Sequence, residues 1–340
     1  MNLADLNKVA LAMVTPGKGI LAADESAGTI KKRFDAIKVD STEENRRDYR
    51  EMLFRSTEAM SEYVSGVILY DETIWQNAKD GTPLVKLIEQ SGAIPGIKVD
   101  EGTQGLPQCP GELVTVGLDK LAERLKKYYE RGARFAKWRA VIDIGAGVPT
   151  MTAISVSAHA LARYAALCQE QGIVPIVEPE VLMDGDHSLE RCEEVTTAAL
   201  TATFSQLSAH RVYLEGMILK PNMVISGKKN GSRASAQAVA DATVRTLKRC
   251  VPSAVPGIAF LSGGQSSAEA ALHLSLINQV TLPWKVTFSY GRALQDAALT
   301  GWGGKVAQLG NGQREFGKWA RLNALASTGQ FAAGMESQAA

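Results

Sequence analysis

Apolar residues in this chain gather into short runs that stop at a glycine, a proline or a charge, and the runs recur. Eight are rich in β-forming residues: GILAAD (19–24), GVILYD (66–71), PGIKVD (95–100), ARFAKWRAVI (133–142), IVPIVEPE (173–180), GMILKP (216–221), GIAFLSGG (257–264) and WKVTFSYG (284–291). Runs of this length and composition read as strands, and their starts lie 27 to 47 residues apart. The intervals between them hold longer stretches of helical period. One opens at Ser41-Thr-Glu-Glu44 with capping-box spacing and continues through Tyr49, Met52, Leu53 and Met60. Others are 118–132, 157–172 and the alanine-rich 235–249, and an amphipathic helix precedes them all, stopped at Pro16.

Strand alternating with helix predicts a parallel sheet with right-handed crossovers, and strands this apolar fit a sheet covered on both faces. An open sheet built for a dinucleotide would carry GxGxxG after its first strand, and AADESAG lacks it. Eight repeats therefore predict an α/β fold of the closed (β/α)8 type, the TIM barrel. No linker-like stretch divides the chain, so residues 1–340 are expected to form a single barrel domain with an N-terminal helix. The small, polar segment 327–340 is expected to be a mobile tail.

Composition excludes some partners. The 340 residues are 45% apolar and 21% charged with a formal net charge of +1, so no strong field invites nucleic acid or a membrane surface. No apolar run approaches the ~20 residues needed to span a bilayer, and the N-terminus lacks the basic-then-apolar order of a secretory signal. A cytoplasmic protein is the expectation. Cys109, Cys168, Cys192 and Cys250 form no CxxC pair, and the four histidines show neither HxH nor HExxH spacing, so no metal site is expected. The pattern leaves open any redox control through the cysteines.

The charges are the informative departure from the apolar pattern. They stand at the carboxyl ends of the runs, where barrels of this kind carry their chemistry: Asp24, Asp71 and Glu72, Lys98 and Asp100, Lys137 and Arg139, Glu178 and Glu180, Lys220, then Ser262, Ser289 and Arg292. Lys137/Arg139 and Glu178/Glu180 are each two apart, so each pair points to one side of its strand. Any one of these, taken alone, reads equally well as a solvated or salt-bridged strand end. Several charges of alternating sign inside apolar strands need a shared polar pocket.

Three lysines converging on one mouth narrow the chemistry. A lysine is a nucleophile only as the free amine, and an ordinary lysine, with a pKa of ~10.4, is protonated at neutral pH. Burial and a neighbouring cation both favour the amine, and Lys220 has Lys137 two strands away. A neutral amine facing a carbonyl makes a Schiff base. The turns LSGG (261–264) and SYGR (289–292) follow the last two runs, where many barrels bind phosphate through backbone N–H groups. Arg292 would add a forked donor. Two tight turns beside a surface arginine are the plain alternative. The residues alone support a Schiff-base enzyme for a phosphorylated carbonyl compound.

LEGMILKPNMV (214–224), GILAADES (19–26), GIKVDEG (96–102), FAKWR (135–139), IVPIVEPE (173–180), FLSGGQS (260–266) and FSYGRALQ (288–295) together resemble class I fructose-bisphosphate aldolase, in order, over roughly residues 10 to 325. The resemblance implies reversible cleavage of fructose 1,6-bisphosphate to dihydroxyacetone phosphate and glyceraldehyde 3-phosphate, without metal or cofactor, in a homotetramer. Photosynthetic relatives also use sedoheptulose 1,7-bisphosphate, a choice the residue pattern leaves open. Lys220 matches the Schiff-base lysine, Asp24 the base at the C4 hydroxyl and Glu178 the acid/base that dehydrates the carbinolamine. Lys137 matches the residue that keeps Lys220 deprotonated, and Glu180 is expected against the lysines. Ser262, Gly263, Gly291 and Arg292 match the C1-phosphate pocket, with Ser289 beside it. Ser26, Thr29, Arg33, Lys98 and Arg139 match the C6-phosphate side, where the family often has serine at position 29.

One departure stands out: many family members end in a tyrosine that exchanges the C3 proton, whereas here the last tyrosine is Tyr290. Glu180 or water is expected to protonate the enamine instead, slowly. A transaldolase-like transferase is the nearest rival, separated by the lysine on the sixth run and the two phosphate-type turns. A degenerate barrel kept for protein binding would show broken constellations, and these are filled.

Overall fold

The computed structural model describes residues 2–338. Its eight long-range strands are β1 (Gly19–Ala23), β2 (Val64–Leu69), β3 (Ile94–Lys98), β4 (Phe135–Ile142), β5 (Val174–Val181), β6 (Ile218–Leu219), β7 (Gly257–Phe260) and β8 (Lys285–Tyr290). They pair in parallel, each with its sequence neighbour, and β8 closes on β1 with Ile20 opposite Ser289. Each expected run contributes one strand, and the architecture is the (β/α)8 barrel. Among the described residues no helix is long and apolar enough to cross a membrane.

The barrel interior is apolar at its lower end. Ile20, Ala22, Ile68, Phe135, Val174, Ile176, Ile218 and Ala259 form one buried cluster, and the N-terminal helix Leu3–Met13 seals it with Leu6, Ala10 and Met13. That is what the amphipathic period of the first residues encodes: the helix plugs the bottom of the barrel. The Ser65 hydroxyl donates to the Met13 carbonyl at 2.6 Å and fixes the end of the plug. The Phe135 ring fills the centre, and a Cβ on Gly96 would lie 2.2 Å from it, so only glycine fits there. With the lower layers dry, the polar side chains of the same strands sit above them, toward the carboxyl ends.

Local detail differs from the sequence pattern at three places. The capping residue of helix Glu43–Phe54 is Thr42, not Ser41; its hydroxyl accepts from Asn45 N, and this shift by one removes Glu44 from the third helical position. The capping box occurs instead at Ser266 and Glu269, ahead of helix Ser267–Asn278. An antiparallel hairpin, Thr103–Gly105 with Leu113–Thr115, was not expected between β3 and β4. The segment from 327 is tied down as far as Phe331, which is buried; Ser275 Oγ donates to the Phe331 carbonyl at 2.7 Å, and Gln279 holds the Gly329 carbonyl. A short helix, Met335–Gln338, follows, and the last two residues of the expected tail lie outside the described residues.

Candidate active site

Alternation along β3, β4 and β5 carries the inward-facing positions from apolar to charged in a single step. Register puts Lys98 opposite Lys137, and Arg139 opposite Glu178. Past the end of β6, the Lys220 N–H donates to the Val177 carbonyl at 2.8 Å, extending the ladder by one residue before Pro221, which has no N–H to continue it. The strand is short for this reason, and it ends with Lys220 over the mouth.

Four side chains form a continuous chain of opposite charges. Lys137 Nζ lies 2.8 Å from Asp24 Oδ2 and 3.4 Å from Glu178 Oε2, and Lys220 Nζ lies 3.2 Å from Glu178 Oε1. Lys137, Lys220 and Glu178 are each at most 4% exposed. The sequence sets Lys137 beside Lys220 as a bare cation, whereas the structure interposes Glu178, so the two amines share one carboxylate. Burial alone would raise the Asp24 pKa, but Lys137 and then Lys220 pull it down to about 2. Burial alone would depress Lys137, but Asp24, Glu178 and Asp100 outweigh it and hold its pKa well above the ordinary lysine value. Lys137 is a fixed cation.

Around this chain the structure sorts the remaining candidates. Ser26, Thr29, Lys98 and Arg139 line one cleft of about 560 Å³, together with Asp71, Asp100, Arg124 and Tyr128. Sequence reasoning passed over Asp100 as a site residue. It pairs with Lys98 at 2.7 Å and accepts from the backbone N–H of Arg139 and of Gly102, so it orients Lys98 and pins the strand that carries Arg139. The Lys98-x-Asp100 spacing was the available signal, since residues two apart at a strand end share a side.

Two expectations about placement change. Arg33 lies away from that cleft: its guanidinium Nη2 is 3.5 Å from where a Cβ on Gly291 would stand, so it belongs to the turn after β8. On helix Ala27–Ala36 it stands one turn beyond Thr29 and about two beyond Ser26. Glu180 does not lie against the lysines. It bonds Arg139 Nε, because two residues beyond Glu178 it stands at the rim, where the facing group is a guanidinium.

The two glycine turns lie at helix N-termini. Gly291 immediately precedes helix Arg292–Trp302, whose first N–H groups have no partner within the helix. The Ser262–Gln265 turn precedes helix Ser267–Asn278. Ser289 is 1% exposed and its hydroxyl bonds no protein group.

Buried His273 supports the first turn, with Nδ1 2.6 Å from Gln265 Oε1. Burial pushes its pKa down to about 4, against the pull of Glu269 and with a small push from Arg233. The folded protein therefore binds fewer protons here than the unfolded chain between about pH 6.5 and 4, and stability falls as pH drops through that window. A depression of this size corresponds to a loss of about 3 kcal/mol by pH 4. Urea denaturation at pH 7 and pH 4 should show His273→Gln losing less than the native protein by about this amount. Equal losses would rule the assignment out.

Fold and site together define the class: a (β/α)8 barrel enzyme with buried lysines and carboxylates paired at the carboxyl ends of its strands. The sequence profile of the family described as "Fructose-bisphosphate aldolase class-I" matches residues 5–340. A "Probable fructose-bisphosphate aldolase class 1" of Xanthomonas campestris pv. campestris is 54% identical over 97% of this chain and 99% of its own length. The "Fructose-bisphosphate aldolase, non-muscle type" of Lethenteron camtschaticum is 53% identical over 96% of this chain and 90% of its own. A solved fructose-bisphosphate aldolase from Plasmodium falciparum superposes with a TM-score of 0.96 at 48% identity, covering 98% of this chain and 96% of that one. The chain belongs to the class I fructose-bisphosphate aldolase family.

Proposed function

We propose that this enzyme cleaves fructose 1,6-bisphosphate reversibly to dihydroxyacetone phosphate and glyceraldehyde 3-phosphate, with Lys220 as the Schiff-base lysine. The observation that carries this reading is the buried chain Asp24–Lys137–Glu178–Lys220, in which one carboxylate touches both amines. Glu178, 3.2 Å away, takes the proton that Lys220 gives up on becoming the amine. The amine adds to the C2 carbonyl, its own proton passes to the new alkoxide, and Glu178 returns the first proton as the hydroxyl leaves as water. The iminium that remains draws electrons toward C2. Asp24 takes the C4 hydroxyl proton, the C3–C4 bond breaks, and its electron pair neutralises the iminium as an enamine. Protonation at C3 and addition of water then release the ketose half and regenerate the amine.

Lys137 has a different task in this scheme. Because it stays cationic, it holds Asp24 ionised and stands ready for substrate oxygens. The cleft of Ser26, Thr29, Lys98 and Arg139 takes the phosphate at one end, and the turns at Ser262–Gly263 and Gly291–Arg292 take the other. A cytoplasmic address belongs to the same reading, in line with the 52% identical Arabidopsis thaliana relative named "Fructose-bisphosphate aldolase 4, cytosolic". The homotetramer implied by the resemblance is part of it too. Borohydride reduction with dihydroxyacetone phosphate, followed by peptide mapping, should place one adduct on Lys220. Activity should survive EDTA. An adduct on another lysine, or activity abolished by the chelator, would refute the assignment.

A further inference from the structure

Directly behind Asp24 the protein buries a second set of charges that the proposed chemistry does not use. Arg50, on helix Glu43–Phe54, is 1% exposed, and Glu25 is 6% exposed. Arg50 Nη2 donates to the Glu25 carbonyl at 2.9 Å and lies 3.7 Å from Glu25 Oε2, while Nη1 is 3.8 Å from Glu72 Oε1. Its Nε and Nη1 and the Glu25 Oε2 have no hydrogen-bond partner. A buried, incompletely satisfied ion pair is poor stabilisation, since apolar residues of similar volume do as well or better. It needs another reason to be there.

The surroundings supply one. Glu25 Oε1 accepts from Arg33 Nη1 at 2.6 Å, and the other arm of that guanidinium faces Gly291. Glu25 also sits between Asp24, whose carboxylate meets Lys137, and Ser26, which precedes the helix carrying Thr29 and Arg33. The buried Gln295 amide ties the same corner together, donating to the Ala22 carbonyl at 2.7 Å and accepting from the Tyr49 hydroxyl at 3.1 Å. One fixed carboxylate thus meets three things at once: the exit of the backbone from Asp24, the start of the helix that follows Ser26 and bears Thr29, and the reach of Arg33 toward the turn after β8.

We propose that Arg50 and Glu25 are positioning residues that, through this shared anchor, hold Arg33 at the Gly291 phosphate turn and fix the helix of Ser26 and Thr29 at the opposite cleft. This rests on the functional reading above and names the device that sets the spacing between its two phosphate subsites. Arg50 and Glu25 touch no substrate; they act through Arg33 and the helix.

The test is a steady-state comparison of Glu25→Gln, Arg33→Gln, their double variant, and the pair Glu25→Gln/Arg50→Met. The last removes both buried charges, so it remains folded if a lone buried arginine makes the single variant unstable. Each Glu25 variant should raise KM for fructose 1,6-bisphosphate about tenfold while kcat changes less than threefold. Adding Glu25→Gln to Arg33→Gln should raise KM by much less than that factor. Single Arg50→Met and Arg50→Lys variants complete the set, and the lysine should keep part of the affinity that the methionine loses.

A native KM in the folded Glu25→Gln/Arg50→Met protein would overturn the inference and leave a structural ion pair. So would additive KM effects of Glu25→Gln and Arg33→Gln. Borohydride trapping in each variant keeps this separate from the function itself. An adduct on Lys220 with native KM sinks only the positioning role, whereas failure to trap the native protein sinks the function.

Discussion

Lys220→Met is expected to reduce cleavage of fructose 1,6-bisphosphate by about 10⁵-fold or more and to abolish borohydride trapping. Losing a covalent nucleophile removes the whole reaction path rather than one contribution to it. Methionine matches the lysine in length and fills the buried volume. Glu178 keeps Lys137 as a partner at 3.4 Å, so the folded state should persist. Lys137 cannot take over, since its proton is held by carboxylates on two sides and its pKa is raised. Stopped assays with purified protein, alongside circular dichroism to confirm folding, decide the matter. A variant that retains even a hundredth of native kcat would mean that the Schiff base forms elsewhere.

The reason this lysine was visible in the sequence is the same physics that makes the barrel visible. A parallel strand buried on both faces must be apolar along its length, so GMILKP announces both a strand and an anomaly. The same contrast marks Asp24 and Lys98 at the ends of apolar runs, and Lys137 and Glu178 inside them. The hairpin at 103–115 gave no such contrast: its first strand is exposed throughout, so nothing in its composition is set by burial. It is held instead by side-chain contacts from distant sequence, with Thr115 donating to the Arg139 carbonyl at 2.8 Å.

Orientation was less legible than position. The resemblance groups Arg33 with Ser26 and Thr29, whereas its guanidinium reaches Gly291, because position on a helix does not say which way a long side chain extends. Arg50 lay hidden for a related reason. ENRRDYREM reads as a solvated helix face, and only packing shows that Arg50 turns inward among Tyr49, Met52 and Leu53. The resemblance places Glu180 beside the lysines, and its spacing from Glu178 puts the two on one side of the strand. Spacing gave the correct face of β5 and left the layer along it undetermined; the rim partner is Arg139.

Lys137→Met tests the other end of the charge chain, and its signature should be a change in pH dependence as well as in rate. In the native protein Asp24 stays ionised down to about pH 2, so it does not produce an acid limb in kcat/KM at ordinary pH. Removing the cation at 2.8 Å takes away the largest influence opposing burial, and the Asp24 pKa rises. An acid limb attributable to Asp24 should then appear, with activity at pH 7 about 10²–10⁴-fold lower through loss of the positioned cation and base.

Stability carries the same sign. The native Asp24 pKa, depressed from 3.8 to about 2, contributes about 2 kcal/mol above pH 4 that is lost as pH falls toward 2. Lys137→Met lacks that contribution. It should be less stable by about 3–5 kcal/mol at pH 7, as expected when one partner of a buried pair is removed, and the gap should narrow by about 2 kcal/mol as acid is added. Urea titrations of both proteins across the acid range measure this directly. A constant gap, together with an unchanged acid limb, would show that Lys137 does not hold the Asp24 carboxylate.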